Sequence, residues 1–184
     1  MEVWRWLEAQ GAHHDVVRWA RPFGEDWPRA WDECPRGDWL LGVAARAGAD
    51  GRAITRAACA CARFALPYLP DAEERPRVAL DALERYVEGG EPPADHAALD
   101  AALEAAVDGA PDPAVAAAAM AALAALRSVA HPEDAPLAAS SAVQAALLDA
   151  GDCALVAAMR HAQASCADLV RTHLARPPLV TARA

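Results

Sequence analysis

The chain has 184 residues, of which 55% are hydrophobic and only 5% aromatic. Alanine supplies 51 of the hydrophobic residues, whereas strands prefer β-branched and aromatic side chains, so the composition favours a single all-α domain and argues against a β-rich fold. The formal net charge of −9 argues against a nucleic-acid backbone or an anionic membrane as the main partner. A basic protein partner fits this charge better.

Proline and glycine residues divide the chain into about eight or nine predicted helices that form one bundle. The N-terminal third holds all six tryptophans, while the C-terminal half is rich in alanine. We expect one domain over residues 1–176 and a frayed tail over residues 177–184. In chain order the predicted segments are Glu2–Gln10, His13–Ala20, Asp26 or Trp27 to Cys34, Arg36–Ala47, Arg52–Leu66, Glu73–Glu88, Asp95–Asp108, Pro113–Ala130, Ala135–Ala150 and Asp152–Ala175.

Three features predict that the protein is cytoplasmic and that its cysteines are reduced. The segment Met1–Gln10 contains two glutamates and one arginine, and it lacks the apolar run of a signal peptide. The longest charge-free stretches have 14 residues, fewer than the roughly 18 that a membrane-spanning helix needs. The five cysteines are an odd number, and Cys59 and Cys61 point to opposite sides of a predicted helix. We therefore expect packed thiols rather than a disulfide framework.

Negative charge is concentrated in one segment of the chain. Residues 71–112 contain twelve acids and three arginines, whereas the rest of the chain has equal numbers of both. Acids recur every three or four residues on two successive predicted helices, opposite an apolar stripe. Like charges at this spacing cost a helix a few tenths of a kcal/mol, which the sequence could avoid by placing arginines among the acids. We therefore expect the acidic face to contact a partner, the alternative being a solvated face. Its residues are Asp81, Glu84, Glu88, Asp100, Glu104 and Asp108.

The sequence contains no motif that indicates catalysis or cofactor binding. It has no lysine, no nucleophile elbow and no glycine-rich phosphate loop. The pair Cys59 and Cys61 would diverge on a regular helix, and so would His13 and His14, which argues against a metal site. We therefore expect a protein that is not an enzyme, with no catalytic residues, no cofactor and no metal.

The segment from Trp31 to Leu41 predicts a corner between two helices. Trp31 ends one helix, a proline and a glycine turn the chain, and Asp38 is placed to cap the next helix. Trp39 then begins a buried face, and Arg36 is placed to pair with Asp38 or with a neighbouring helix end. We interpret these residues as a structural corner, the alternative being a direct role in binding.

Four stretches of the chain together resemble a family of predicted bacterial immunity proteins from polymorphic toxin systems. The likeness spans roughly residues 14–175, and the run from Cys34 to Leu41 is its most distinctive part. Gly42 departs from the family pattern, because members often carry a large aromatic residue there. The resemblance implies an all-α protein that binds and neutralises a cognate toxin. The four stretches are Trp31–Leu41, Ala58–Arg63, Glu74–Tyr86 and Cys166–Arg171.

Two alternative functions stay open at this point. The first is a helical scaffold or adaptor that contacts its partners through an apolar patch, with the acidic face serving only solubility. The second is an enzyme or small-ligand protein with a pocket between the tryptophan-rich helices, where Arg36 or His14 would be the polar anchor. The oligomeric state does not follow from the sequence.

Overall fold

The structure, a computed structural model, describes residues 1–150 and 154–179. The described residues form ten α-helices and three short 3₁₀ turns, without a β-strand, which confirms the all-α class. Each of the ten corresponds to one of the ten segments predicted from the sequence, so the expected count of eight or nine was slightly low. The helices are α1 (Val3–Ala9), α2 (His14–Ala20), α3 (Trp27–Glu33), α4 (Gly37–Arg46), α5 (Gly51–Phe64), α6 (Arg75–Val87), α7 (His96–Asp108), α8 (Pro113–Arg127), α9 (Ala135–Asp149) and α10 (Leu155–His173).

Aspartate side chains cap the first turn of several helices. Asp26 accepts a hydrogen bond from the backbone N–H of Arg29 at the start of α3, and Asp50 accepts one from Ala53 at the start of α5. Asp112 accepts two backbone N–H groups at the start of α8. Each cap satisfies amides that have no partner within the helix, which explains why the chain enters these helices where it does. The predicted start of the last helix at Asp152 lies outside the described residues.

The N-terminal helices pack around a cluster of large side chains. Trp6 and Leu7 of α1 are buried against Val17 of α2 and Val43 of α4. The same cluster holds the beginning of the predicted tail, because Leu179 packs on it and the indole N–H of Trp27 donates to the carbonyl of Pro177 at 2.8 Å. Residues 177–179 are thus in contact with the bundle, and residues 180–184 of that tail lie outside the described part of the chain.

The C-terminal half is a close packing of alanine-rich helices. Helices α8 and α9 make the most extensive contact of the bundle, and α5, α4 and α10 surround them. A buried hydrogen bond of 3.1 Å joins the hydroxyl groups of Thr55 on α5 and Ser128 just after α8, and Ser128 also donates to the Ala125 carbonyl at 2.7 Å. Both residues are 0% exposed, so this polar pair lies inside an otherwise apolar interior. No helix of the described residues is both long and apolar enough to span a membrane.

Helices α6 and α7 cover one side of this core with their apolar stripes. Leu80, Leu83 and Val87 of α6 are buried, as is Leu103 of α7, so the dry side of each helix is the one that the sequence predicts. The acids that alternate with these stripes therefore face away from the core.

Candidate functional site

The predicted corner between α3 and α4 forms a tight cluster of charge and aromatic rings. Arg36 donates from Nε and Nη2 to the two carboxylate oxygens of Asp38, at 3.0 and 2.6 Å. Its guanidinium also lies 4.7 Å above the centre of the Trp39 ring. The hydrogen bond to Asp38 raises the pKa of Arg36, and burial opposes that rise. The bidentate pair and the cation–π contact together fix the Arg36 side chain.

One detail of this corner differs from the sequence prediction. Asp38 does not cap α4, because the helix begins at Gly37 and its N-cap residue is Arg36, which makes no side-chain cap. Asp38 instead stands in the first turn, where a carboxylate interacts favourably with the helix dipole, and it pairs with Arg36. Trp31, the fourth predicted corner residue, is buried with its ring edge-on to Trp27 at 5.5 Å.

Helix α10 packs against the corner and binds it through Arg171. Arg171 donates through Nε to the carbonyl of Trp31 at 3.2 Å and through Nη2 to the carbonyl of Cys34. The Trp31 carbonyl also accepts the backbone N–H of Cys34 at 3.4 Å, and Arg171 adds a charged donor to both carbonyls. Gly37 lies so close to α10 that a Cβ atom added to it would stand 2.8 Å from the backbone carbonyl of Cys166. The corner is therefore clamped between its own ion pair and α10.

A groove of about 720 Å³ opens in front of this corner, between the start of α2, one side of α4 and the chain leading into α9. We refer to it as the α4 groove. Trp39 and Val43 supply its apolar lining from α4, and Pro132 and Pro136 supply the opposite wall. Its volume lies in the range of known ligand pockets, about 300–1,000 Å³. Its polar lining residues are His13, Asp15, Arg36, Asp38, Arg46 and Glu133.

Arg46 carries the uncompensated positive charge of the α4 groove. Arg36 is neutralised by Asp38, and Asp15 is paired with Arg18 at 2.7 Å. Arg46 instead donates to two backbone carbonyls, those of Gly42 at 2.9 Å and Gln10 at 3.3 Å, and it has no carboxylate partner among the described residues. A ligand that offers an acceptor or a negative charge would therefore find its partner at Arg46.

Gly42 keeps the α4 groove open. A Cβ atom at this position would approach only the mobile end of Arg46 at 3.1 Å and Pro136 at 3.6 Å, so a larger side chain would project into the groove. This is the position that the sequence analysis marked as a departure from the expected family pattern. Sequence reasoning did not identify Arg46 or Gly42 as site residues, although the departure at Gly42 was a visible signal.

Arginines of this chain pair with most acids of the predicted acidic face. Arg63 of α5 pairs with Asp81 at 2.6 Å and also with Glu84, both on α6. Arg127 of α8 donates to both carboxylate oxygens of Asp100, at 2.7 and 2.9 Å, and to Glu104 at 2.5 Å. Hydrogen bonds from Arg127 lower the pKa of Asp100, although partial burial opposes this. Four of the six predicted partner-binding acids are thus engaged by arginines of this chain.

The remaining two predicted acids are free. Glu88 and Asp108 are exposed, and neither forms an ion pair with any residue in the described part of the chain. Glu88 is the C-cap residue of α6, and Asp108 is the last residue of α7. Because two arginines face four carboxylates, the paired acids also keep a net negative charge, and ion pairs interrupt the acidic face without cancelling it. The expectation of one unbroken acidic face is corrected accordingly.

The described cysteines lie in the interior, whereas His13 and His14 lie at the surface. The four described cysteines, Cys34, Cys59, Cys61 and Cys166, are buried and free. His13, His14 and Asp15 place one ligand atom each within 4.8 Å of one another, an arrangement that the sequence analysis excluded by assuming a regular helix through His13. The backbone of His13 is not helical, so the two imidazoles do not diverge.

Comparison with known proteins adds no relative to this description. No protein-family model, curated protein or solved structure matches the chain.

Proposed function

We propose that this chain is an immunity-type binding protein, which neutralises a bacterial toxin by accepting part of it in the α4 groove. One observation carries the proposal. The most distinctive part of the family resemblance, the run from Cys34 to Leu41, supplies Arg36, Asp38 and Trp39 to the wall of the groove. The residues that suggest the function therefore lie together at an accessible concave surface.

The chemistry of the α4 groove suits protein recognition. Tryptophan and arginine are the residues most enriched at the energetic centre of protein interfaces, and Trp39, Arg36 and Arg46 meet here. Because Arg36 is already held by Asp38 and Trp39, it would lose little side-chain freedom when a partner binds. Arg46 is the group that would meet an acceptor or a carboxylate of the toxin.

The net charge favours a toxin that is basic overall. Internal ion pairs redistribute the negative charge of the protein without changing its sum of −9. Exposed acids at the helix ends, among them Glu88 and Asp108, would attract a basic toxin over the range of the Debye length, about 8 Å at physiological salt. This attraction would raise the association rate more than the final affinity.

The test requires the toxin, which we expect to be the variable C-terminal domain of a large secreted protein encoded beside this chain. Gly42→Phe would fill the α4 groove. Gly51→Phe is the control, because Gly51 is also a helical glycine but faces open space outside the groove. We expect Gly42→Phe to weaken toxin binding at least tenfold and to abolish protection of cells. Binding and protection by the Gly51→Phe control should stay near those of the parent.

Circular dichroism and the melting temperature show whether both variants are folded. Full protection by a folded Gly42→Phe protein would contradict the role of the groove. If no product of the neighbouring gene binds the parent protein, the immunity function itself is wrong.

A separate pair of substitutions tests the electrostatic part. Glu88→Arg with Asp108→Arg removes two free carboxylates without breaking the pairs made by Arg63 and Arg127. We expect a severalfold slower association at low salt, with the difference shrinking as salt is added. An unchanged association rate would mean that the toxin is not steered by these acids.

The volume of the α4 groove also favours a second candidate function, binding of a small molecule. Its 720 Å³ would accommodate a drug-sized ligand that presents an anionic group to Arg46. Native mass spectrometry of the protein purified from its own host distinguishes the two functions. A bound small molecule in place of a protein partner would support this second candidate.

A further inference from the structure

We propose that His13, His14 and Asp15 form a binding site for a transition-metal ion of the zinc type at the rim of the α4 groove. The inference is independent of the proposed function, because it depends only on the geometry of these three side chains. Two imidazoles and one carboxylate are a ligand set that zinc accepts, with further positions left for water or an incoming group.

The spacing of the ligand atoms fits one ion. Nδ1 of His13 lies 3.6 Å from Oδ2 of Asp15, and Nε2 of His14 lies 3.4 Å from Oδ1 of the same carboxylate. Bonds of about 2.0–2.1 Å to a tetrahedral zinc ion place neighbouring ligand atoms roughly 3.3–3.4 Å apart. The two imidazoles approach different oxygens of the carboxylate, and one ligand atom from each of the three residues lies within 4.8 Å of the other two. Modest side-chain rotations would therefore bring the three ligand atoms to the separation that a tetrahedral ion requires.

The backbone explains why consecutive residues converge. His13 is the N-cap of α2 with an extended ψ of 142°, and the helix begins only at His14. The two imidazole rings consequently lie with their centres 4.2 Å apart instead of pointing to different sides. The side chains of His13 and His14 are 65% and 75% exposed, so small rotations that complete the coordination meet no steric obstacle.

Two existing contacts would have to yield to the metal. Arg18 donates from Nη2 to Oδ1 of Asp15 at 2.7 Å, and Nδ1 of His13 accepts a long hydrogen bond of 3.4 Å from the Asp15 backbone N–H. Arg18 is 76% exposed, and ion pairs this exposed contribute little, so a divalent ion would compete with it for Asp15. The competition also yields a specific prediction, namely that removal of the Arg18 charge should strengthen metal binding.

The position of the site relates it to the α4 groove. His13 and Asp15 both belong to the groove lining, so the open coordination positions of a bound ion would be reached from the groove. Partner groups that enter the groove could then coordinate the ion directly.

The experiment is a titration of the full, untagged and chelator-treated chain with Zn²⁺ by calorimetry, and with Co²⁺ by absorption spectroscopy. We expect one ion per chain and a Co²⁺ spectrum of nitrogen and oxygen ligands without a thiolate charge-transfer band. His14→Ala and Asp15→Asn should each weaken binding at least tenfold, and Arg18→Gln should strengthen it severalfold.

His131→Ala is the matched control. His131 is another exposed histidine that lies near an acid, with Nδ1 3.4 Å from Glu133, but a third ligand does not accompany it in the described residues. The His131→Ala substitution should change the affinity for Zn²⁺ less than twofold. Equal weakening by His131→Ala and His14→Ala, a thiolate band, or no stoichiometric binding would each overturn the proposal. The titration involves no toxin, so its failure leaves the immunity function untouched.

Discussion

Substitution of Gly37 by alanine tests how tightly the corner is clamped against α10. The added Cβ would stand 2.8 Å from both the carbonyl carbon and the carbonyl oxygen of Cys166 and 2.9 Å from its Cβ. Favourable contacts between carbon atoms lie at about 3.5–4.0 Å, so α4 and α10 would have to separate by more than about half an ångström. The atoms in conflict belong mainly to backbone, which cannot rotate away.

The expected size of the effect follows from two opposing contributions. Overpacking of this kind costs about 1–3 kcal/mol, while the loss of glycine flexibility in the unfolded chain returns about 0.4–1 kcal/mol. We expect Gly37→Ala to lower the free energy of unfolding by about 1–2 kcal/mol, or the melting temperature by roughly 2–8 °C for a protein of this size.

Gly51→Ala is the matched control, because Gly51 is likewise the first residue of its helix, α5. No heavy atom lies within 4 Å of the Cβ that alanine would add there. This variant should be as stable as the parent or up to about 1 kcal/mol more stable. Urea denaturation of both variants measures the difference. Equal stabilities of the two variants would refute the close approach of α4 and α10.

Three further predictions concern stability and reactivity. Arg171→Ala leaves two carbonyls at the end of α3 without their charged donor, so urea unfolding should show a loss of about 2–3 kcal/mol, and a negligible loss would contradict the clamp. Because the pKa of Asp100 is lowered, its pairing with Arg127 stabilises the fold above about pH 3.8, and this stabilisation disappears as the pH falls further. The difference in unfolding free energy between the parent and Asp100→Asn should therefore shrink below pH 3.8. A constant difference would argue against the pair. Burial raises the pKa of the Cys34 and Cys59 thiols to about 12, so iodoacetamide should label them only after unfolding, as detected by mass spectrometry. Labelling of the native protein would show that these thiols are accessible.

The sequence predicts those features that depend on local periodicity. The spacing of Leu80, Leu83 and Val87 identifies the buried side of α6, because a helix brings these positions onto one face. The proximity of Arg36 and Asp38 allowed the corner pair to be predicted as well. Such features need only the geometry of one element and its immediate neighbours.

Features that depend on contacts between distant segments were not predictable. The arginines that pair with acids of the acidic face, Arg63 and Arg127, come from other helices, so the charge pattern of α6 and α7 alone could not reveal them. The α4 groove likewise arises where three segments meet. The approach of His13 to His14 was missed because one residue of error in a helix start changes the direction of a side chain by about 100°.

The buried hydroxyl pair of Thr55 and Ser128 has a consequence for how the alanine-rich helices find their alignment. Methyl groups of uniform size offer few distinctive shapes, so α5 and α8 could slide past each other by one turn with little change in apolar contact. Such a slip would separate the two hydroxyls, and although Ser128 would keep its bond to Ala125, the buried Thr55 hydroxyl would lose this partner at a cost of about 1–3 kcal/mol. A single polar contact thus selects one axial position among several that the alanines alone would accept.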